Sequence, residues 1–409
     1  MQKYSLDKSR IKVLLLEGIH ENAMRFFQAS GYTNIEYYKS SLREDELAEK
    51  ISDVHIIGIR SRTELHSSIL EKAGKLFAVG CFSIGTNQVD LRTAKSMGIP
   101  VFNAPFSNTR SVAELVIAEA IMLIRGIPEK SRLARQGIWS KSARNSFEIR
   151  SKNLGIIGYG HIGSQVSILA ECLGMNVFYY DIEKRLSLGN ARPVESLQEL
   201  LRLADIVTLH VPSTPLTRNM IGIDEVRLMK KGACLINASR GDVVDYHAVA
   251  EGMESGHILG VAADVFPNEP ASEHEPFVHE LQHFSNTILT PHIGGSTTEA
   301  QANIGLEVSE KLVKYSNTGA TMGAVNFVEI SLQPNNNKRR FLHIHKNVPG
   351  VLREVNYVFS SRGINIAAEY LQTDAELGYV IIDIESEPDK AILEDLKNIP
   401  NTIRTRMLY

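Results

Sequence analysis

The run Gly158-Tyr159-Gly160-His161-Ile162-Gly163 constrains this chain more than any other feature. A GxGxxG motif alone is weak; its context carries the weight. An apolar stretch at 154–157 reads as a buried strand leading into the glycines, and 164–173 reads as the helix that follows. Gly158 suits the tight turn, Gly160 lets a pyrophosphate approach the backbone, and Gly163 lets the helix pack closely on the strand. A pyrophosphate would then lie at a helix N-terminus, where unpaired N–H groups and the dipole favour an anion. A second strand at 177–180 ends in Asp181, eighteen residues beyond Gly163. A carboxylate there can accept from both adenosine ribose hydroxyls and would repel a 2′-phosphate, so NAD is the expected cofactor. His161 is expected to lend only its backbone N–H.

A fingerprint of this kind belongs inside a parallel sheet, and the rest of the chain supplies one on each side. Upstream, apolar runs at 13–16, 56–60, 76–80 and 101–103 alternate with amphipathic stretches at 21–29 and 44–51. Such alternation reads as βαβ units. A long apolar helix is expected at 109–125. Downstream, runs at 177–181, 206–211, 233–238, 261–265 and 287–289 build a second doubly wound sheet, and a long helix is expected at 297–315. The Asn-rich segment 331–340, with Pro334, reads as a linker. The last block, 341–409, reads strand, helix, strand, strand, helix, strand, a ferredoxin-like unit. The expected class is α/β: two doubly wound parallel-sheet domains and a small C-terminal βαββαβ domain.

Length and charge agree with this reading. A chain of 409 residues calls for two or three domains. A net charge of −3 offers no field to draw nucleic acid or an anionic membrane, so neither is an expected partner. Cys81, Cys172 and Cys234 are far apart and lack CxxC spacing, which argues against a disulfide framework and against a zinc site. No metal is expected. The polar N-terminus lacks a signal-peptide core, and no apolar run approaches the ~20 residues that span a bilayer. A soluble cytoplasmic protein is expected.

Three loops each follow a buried strand and carry one conspicuous polar side chain: Arg240 after 233–238, Glu269 after 261–265, His292 after 287–289. Ligands bind beyond the carboxyl ends of such strands, so the three are expected in one crevice beside the nicotinamide. Oxidising a secondary alcohol requires a base for the hydroxyl proton, and His292 titrates near neutrality. Glu269 would orient its ring. Arg240 offers a planar fork for a substrate carboxylate.

The segments GIIGYGHIG, INASRGDVVD, DVFPNEP and TPHIGGST resemble the D-2-hydroxyacid dehydrogenase family. RSRTEL, CFSIGTNQVD and VFNAPFSNTRSVAELVI, with HIHKNVPGVL and GINIAAEYLQT near the C-terminus, are similar to the bacterial members with one C-terminal ACT domain. The resemblance implies a discontinuous substrate domain, residues 1–105 and 296–330, with the NAD domain at 106–295 inserted, a linker at 331–340, and the ACT domain at 341–409. It places NAD contacts on His161, Ile162, Asp181, Ala238, Arg240, Asp264 and the run His292, Ile293, Gly294, Gly295. It places substrate contacts on Arg60, Ser61 and Asn108, with Arg62 nearby and Lys39 and Lys141 as further cations. Trp139 is expected as a packing or interface anchor. Serine contacts fall on His345, Asn347 and Asn365, with Gly350 opening the adjacent helix.

The activity implied is oxidation of 3-phospho-D-glycerate to 3-phosphohydroxypyruvate, the first step of L-serine synthesis, inhibited by serine through the ACT domain of a homotetramer. Two rivals stand beside it. One is a same-family dehydrogenase acting on 2-oxoglutarate or another 2-oxoacid. The other is an NAD-sensing interaction protein like the C-terminal-binding-protein corepressors, which share the catalytic set. The linker and 386–399 are the stretches where no family motif can be quoted.

Overall fold

A computed structural model describes residues 7–270, 275–332, 339–385 and 390–408, which form two compact units, 1–107 with 301–409 and 108–300. The expected linker at 331–340 falls largely outside the described residues.

The first unit begins with β1 (Val13–Leu15), α1 (Glu21–Ala29), β2 (Ile35–Tyr37), α2 (Glu44–Lys50), β3 (Ile56–Ile59), α3 (Ser67–Leu70), β4 (Ala78–Cys81), α4 (Leu91–Ser96) and β5 (Val101–Phe102). The strands form one parallel sheet in the order β2-β1-β3-β4-β5. Strands β1, β3 and β4 are buried along their whole length, which is why they read as unbroken apolar runs rather than alternating ones.

The second unit contains α5 (Thr109–Arg125), α6 (Ile127–Arg135), β6 (Asn153–Ile157), α7 (His161–Cys172), β7 (Asn176–Tyr180), β8 (Arg192–Pro193), α8 (Leu197–Leu203), β9 (Ile206–Leu209), α9 (Ile223–Leu228), β10 (Ala233–Asn237), α10 (Tyr246–Glu254), β11 (Ile258–Ala263) and β12 (Thr287–Leu289). Its parallel sheet runs β12-β11-β10-β9-β6-β7-β8. The order reverses between β6 and β9, the position where doubly wound sheets open a ligand crevice. Helices α5 and α7 cover one face through Val112, Val116, Val166 and Ala170, and α8, α9 and α10 cover the other through Leu200, Val226 and Val249.

Helix α11 (Thr298–Thr318) returns the chain to the first unit. There β13 (Arg339–Lys346), α12 (Val351–Ser360), β14 (Ile366–Thr373), β15 (Leu377–Ile384), α13 (Lys390–Asn398) and β16 (Thr402–Leu408) make the expected βαββαβ domain, an antiparallel sheet ordered β14-β15-β13-β16. Phe341, Val380 and Ile382 face α12 and α13. Leu342, Ile344, Tyr379 and Ile381 enter one continuous core with Phe102, Leu312 and Tyr315 of the first layer. The small domain is therefore docked through one face of β13 and β15, and its own helices cover the other. Across the two strands Arg340 forks onto Asp383 at 2.7 and 2.8 Å and also reaches the Thr318 carbonyl at 2.9 Å. Breaking a buried pair of this kind by removing one partner leaves an uncompensated charge.

Candidate active site

Gly158 has φ +90°, a conformation side chains avoid, and a Cβ there would run into the His210 carbonyl. A Cβ on Gly163 would run into the Gly158 carbonyl, whereas one on Gly160 would meet nothing. Gly160 is also the N-cap of α7, and no side chain caps that helix. Open approach over Gly160 and an uncapped helix N-terminus fit a dinucleotide pyrophosphate. Asp181 closes the turn: Oδ2 accepts the Tyr159 N–H at 2.8 Å and Oδ1 accepts the Glu183 N–H at 2.9 Å. A carboxylate has about four acceptor directions, so two remain for ribose hydroxyls. Arg185 lies 3.7 Å from Oδ2.

Past the end of β10, the buried Asn237 organises the arginine loop. Its amide donates to the Arg240 carbonyl and to the Tyr246 hydroxyl, both at 3.0 Å. Its carbonyl accepts from the Ser239 N–H at 3.1 Å and hydroxyl at 2.8 Å. Arg240 donates to the Ser239 carbonyl at 2.6 Å. Burial presses against its charge, and Glu269 and Asp242 partly restore it.

Past the end of β11, Asp264 is 2% exposed and holds the histidine loop with three bonds: the Thr290 hydroxyl at 2.6 Å, the Ile293 N–H at 2.8 Å and the Gly294 N–H at 2.7 Å. Between them His292 sits at φ +54°, left-handed and uncommon for a residue with a side chain. Such strain persists where the surroundings enforce it, and here the bonds of Asp264 to both flanking segments do so. The result is a contact of 2.8 Å between His292 Nδ1 and Glu269 Oε2, while Glu269 Oε1 accepts the Phe266 N–H at 3.2 Å. With Nδ1–H donating to Glu269, the neutral ring presents a bare Nε2. The Glu269 bond raises the proton affinity of His292 above the ordinary histidine value, against an opposing effect of burial. Burial pushes the Glu269 carboxyl up, but its bond to His292, the charges of His292 and Arg240 and the Phe266 N–H together outweigh this and leave it below the ordinary range.

The first turn of α5 adjoins the end of this loop. Ser111 donates to the Gly294 carbonyl at 2.6 Å, and a Cβ on Gly295 would come within 2.7 Å of the Asn108 amide. Asn108 keeps a buried side-chain oxygen with no partner. Ala238 and Ile162 are partly buried at the ends of β10 and the glycine turn. Lys141 is exposed, and Trp139 beside it is 88% exposed.

In the first unit, Arg60, Ser61 and Arg62 follow β3 in a loop built on Glu17, which sequence reasoning passed over. Glu17 lies just past β1 at φ +62° and is 8% exposed. Its carboxylate accepts the N–H groups of Arg60 at 3.0 Å, Arg62 at 2.9 Å and Thr63 at 2.9 Å. A lone acid directly after an apolar strand was the available signal, the same one that marked Arg240, Glu269 and His292. Lys39 is exposed in the same unit.

The residues expected to contact serine separate. His345 and Asn347 lie at the end of β13, where His345 pairs with Gly378 of β15. Asn365 precedes β14, whose start pairs with Ile384. From Gly378 to Ile384 is six residues, roughly 20 Å at the rise of a strand. One chain therefore does not join all three. His345 is 4% exposed, with its Nδ1 3.2 Å from Nδ1 of the buried His343. Burial lowers the His343 pKa to about 4, so this pair stays neutral near pH 7. Gly350, at φ +96°, is the N-cap of α12, and no side chain caps that helix.

Among the described residues no cluster of His, Cys, Asp or Glu is placed to hold a metal, and no helix is long and apolar enough to cross a membrane. Cys81 and Cys234 are buried with thiols pushed up to about 12, while Cys172 is exposed on α7.

This geometry meets known proteins at two places. Residues 117–294 match the family model for the NAD-binding domain of D-isomer specific 2-hydroxyacid dehydrogenases, and residues 341–404 match the model for an AHAS small subunit-like ACT domain. A solved D-lactate dehydrogenase from Aquifex aeolicus, complexed with NAD and lactic acid, superposes with a TM-score of 0.67 at 27% identity, over 78% of this chain and 100% of that one. The chain belongs to the D-isomer specific 2-hydroxyacid dehydrogenase family. Over its whole length it is similar to D-3-phosphoglycerate dehydrogenase: 57% identical to that of Escherichia coli K12, covering 100% of both chains, and 56% identical to that of Haemophilus influenzae, covering 100% of this chain and 99% of the other.

Proposed function

We propose that the chain oxidises 3-phospho-D-glycerate to 3-phosphohydroxypyruvate with NAD, opening L-serine synthesis, as a cytoplasmic homotetramer that serine inhibits through the ACT domain. The observation that carries the chemistry is the His292–Glu269 contact of 2.8 Å at the carboxyl ends of β11 and β12, in the same sheet whose β6 leads into the glycine turn. The relatives that align end to end supply the substrate. NAD, held by residues 158–163 and Asp181, supplies the hydride acceptor when bound. His292 takes the hydroxyl proton at Nε2, and the ring that becomes cationic is already bonded through Nδ1–H to a carboxylate. Arg240 receives the substrate carboxylate with its planar fork. The phosphate calls for further cations, and Arg60 and Arg62 stand on a loop whose backbone Glu17 holds in one shape. Asn108, with an unpartnered oxygen, can accept a hydrogen bond from the substrate.

The proton step has a pH signature. Oxidation requires neutral His292, and Glu269 raises the value at which the ring loses its proton. The oxidative rate should therefore climb with pH through that raised value, and ketoacid reduction should fall. Glu269→Gln removes the cause, so the acid limb of kcat/KM for oxidation should move to lower pH while the rate drops. An unmoved limb would assign the titration to another group.

Effector binding calls for a second copy. His345 and Asn347 come from one end of the small sheet, and Asn365 of a neighbouring chain would complete the set. Trp139 at 88% and Ile138 at 51% exposure provide apolar surface that suits a further contact between subunits. The direct test is NADH oxidation with phosphohydroxypyruvate, with pyruvate and 2-oxoglutarate alongside, with and without millimolar serine. Oxidation of phosphohydroxypyruvate suppressed by serine is expected. Oxidation that ignores serine would retire the sensor and keep the enzyme. No oxidation of any ketoacid, with NADH still bound, would favour an NAD-sensing interaction protein.

A further inference from the structure

The turn between β14 and β15 is held from two sides. From its own domain, Asn347 donates its side-chain amide to the Asp374 carbonyl at 2.6 Å and its backbone N–H to the Glu376 carbonyl at 2.9 Å. From the five-stranded layer, Lys95 Nζ reaches Asp374 Oδ2 at 2.9 Å and Glu376 Oε2 at 3.0 Å. Asp374 Oδ1 is engaged separately, by the N–H groups of Glu376 and Leu377, both at 2.9 Å. One carboxylate thus closes the turn with one oxygen and grips Lys95 with the other.

Lys95 stands one residue before the end of α4, a helix about 9 Å long at 1.5 Å per residue. The other end of α4 is tied to the substrate loop. Asp90 caps the helix through the Thr93 N–H at 2.9 Å and its own N–H donates to the Leu65 carbonyl at 3.0 Å. The Leu65 N–H donates to the Gln88 carbonyl at 2.8 Å, and the Gln88 amide donates to the Arg60 carbonyl. A residue of the effector site and the loop bearing Arg60 and Arg62 are therefore joined by one turn, one ion-pair clamp and one short helix. Half-exposed ion pairs add little to stability, and the shared apolar core already holds the two layers together. What the clamp sets is the position of α4.

We propose that the clamp of Lys95 on Asp374 and Glu376 transmits occupancy of the amino-acid site to the substrate loop: a ligand that takes the Asn347 amide frees the Asp374 carbonyl, the turn shifts, and Lys95 carries α4 and residues 60–65 with it. The proposal rests on the reading of His345 and Asn347 as serine ligands. Contiguity in space does not by itself establish coupling, so binding and inhibition must be measured separately.

The experiment compares full-length wild type with Lys95→Met, recording kcat and KM without serine, inhibition by serine, and serine binding by equilibrium dialysis. Expected for Lys95→Met are unchanged basal kcat, serine bound nearly as in wild type, and a half-inhibiting serine concentration raised roughly fivefold or more, the low end of common coupling strengths. Asp374→Asn with Glu376→Gln should behave alike, and Lys95→Glu with Glu376→Lys should move inhibition back towards wild type. A wild-type inhibition curve in Lys95→Met overturns the proposal. So does loss of inhibition in step with loss of serine binding, which would make the clamp a support of the site instead of a transmitter. Absence of serine binding to the wild type is a separate result and sinks the effector reading itself.

Discussion

Replacing His292 by asparagine is expected to lower turnover by about 10²–10⁴-fold, the usual contribution of a positioned general base, with NADH affinity roughly kept. Asparagine is the informative substitute because His292 sits at φ +54°, and asparagine tolerates that conformation better than alanine does. The loop should then keep its three bonds to Asp264, and the loss reports chemistry. Glu269→Gln in the His292→Asn background should add little, because Glu269 acts through the ring it orients. Steady-state kinetics with NADH fluorescence titration would check both. Turnover surviving in His292→Asn would mean that another group takes the proton.

The second large effect concerns stability. Glu119, on α5, is 1% exposed, and neither carboxyl oxygen has a partner. Burial, with the charge of Asp264 adding to it, pushes its pKa up from 4.5 to about 8. The folded chain thus binds a proton there that the unfolded chain releases above 4.5. The contribution of Glu119 to stability should fall as pH rises from 4.5 to about 8 and level off beyond. Over that span of 3.5 units, at 1.36 kcal/mol each, the loss approaches roughly 5 kcal/mol as an upper bound. Glu119→Gln removes the titration. Its stability relative to wild type should therefore grow with pH through this window, measured by urea unfolding at pH 5, 6, 7 and 8. Parallel curves for the two proteins would show that Glu119 is charged or solvated in the fold. The expected pH dependence has a functional side, because the neighbouring Asp264 carries the loop of His292.

Much of the architecture is legible in the sequence. Runs of buried, mostly apolar residues mark strands of parallel sheets, since both faces of such strands are covered. Both sheets and the βαββαβ unit follow. The glycine turn was legible because its demands are local: a positive φ at Gly158 and no room for a Cβ at Gly163 act over a few residues. Arg240, Glu269 and His292 were legible because strand ends in such a sheet converge.

What the tertiary structure alone decided lies where residues distant in the chain meet. Glu17 shapes a loop more than 40 positions on, and although its place after an apolar strand marks it as a polar loop residue, nothing near it in the chain says which backbone it holds. Asn365 shares a domain with Asn347 yet sits at the far end of the sheet, because strand order and direction, not residue type, set that distance. Lys95 and Glu376 are 281 positions apart and meet only because the two layers share one core. Hydrogen-bonding and steric demands within a turn act at short range and are written in consecutive residues. Charge pairing and burial between layers depend on packing, and packing is a property of the whole chain.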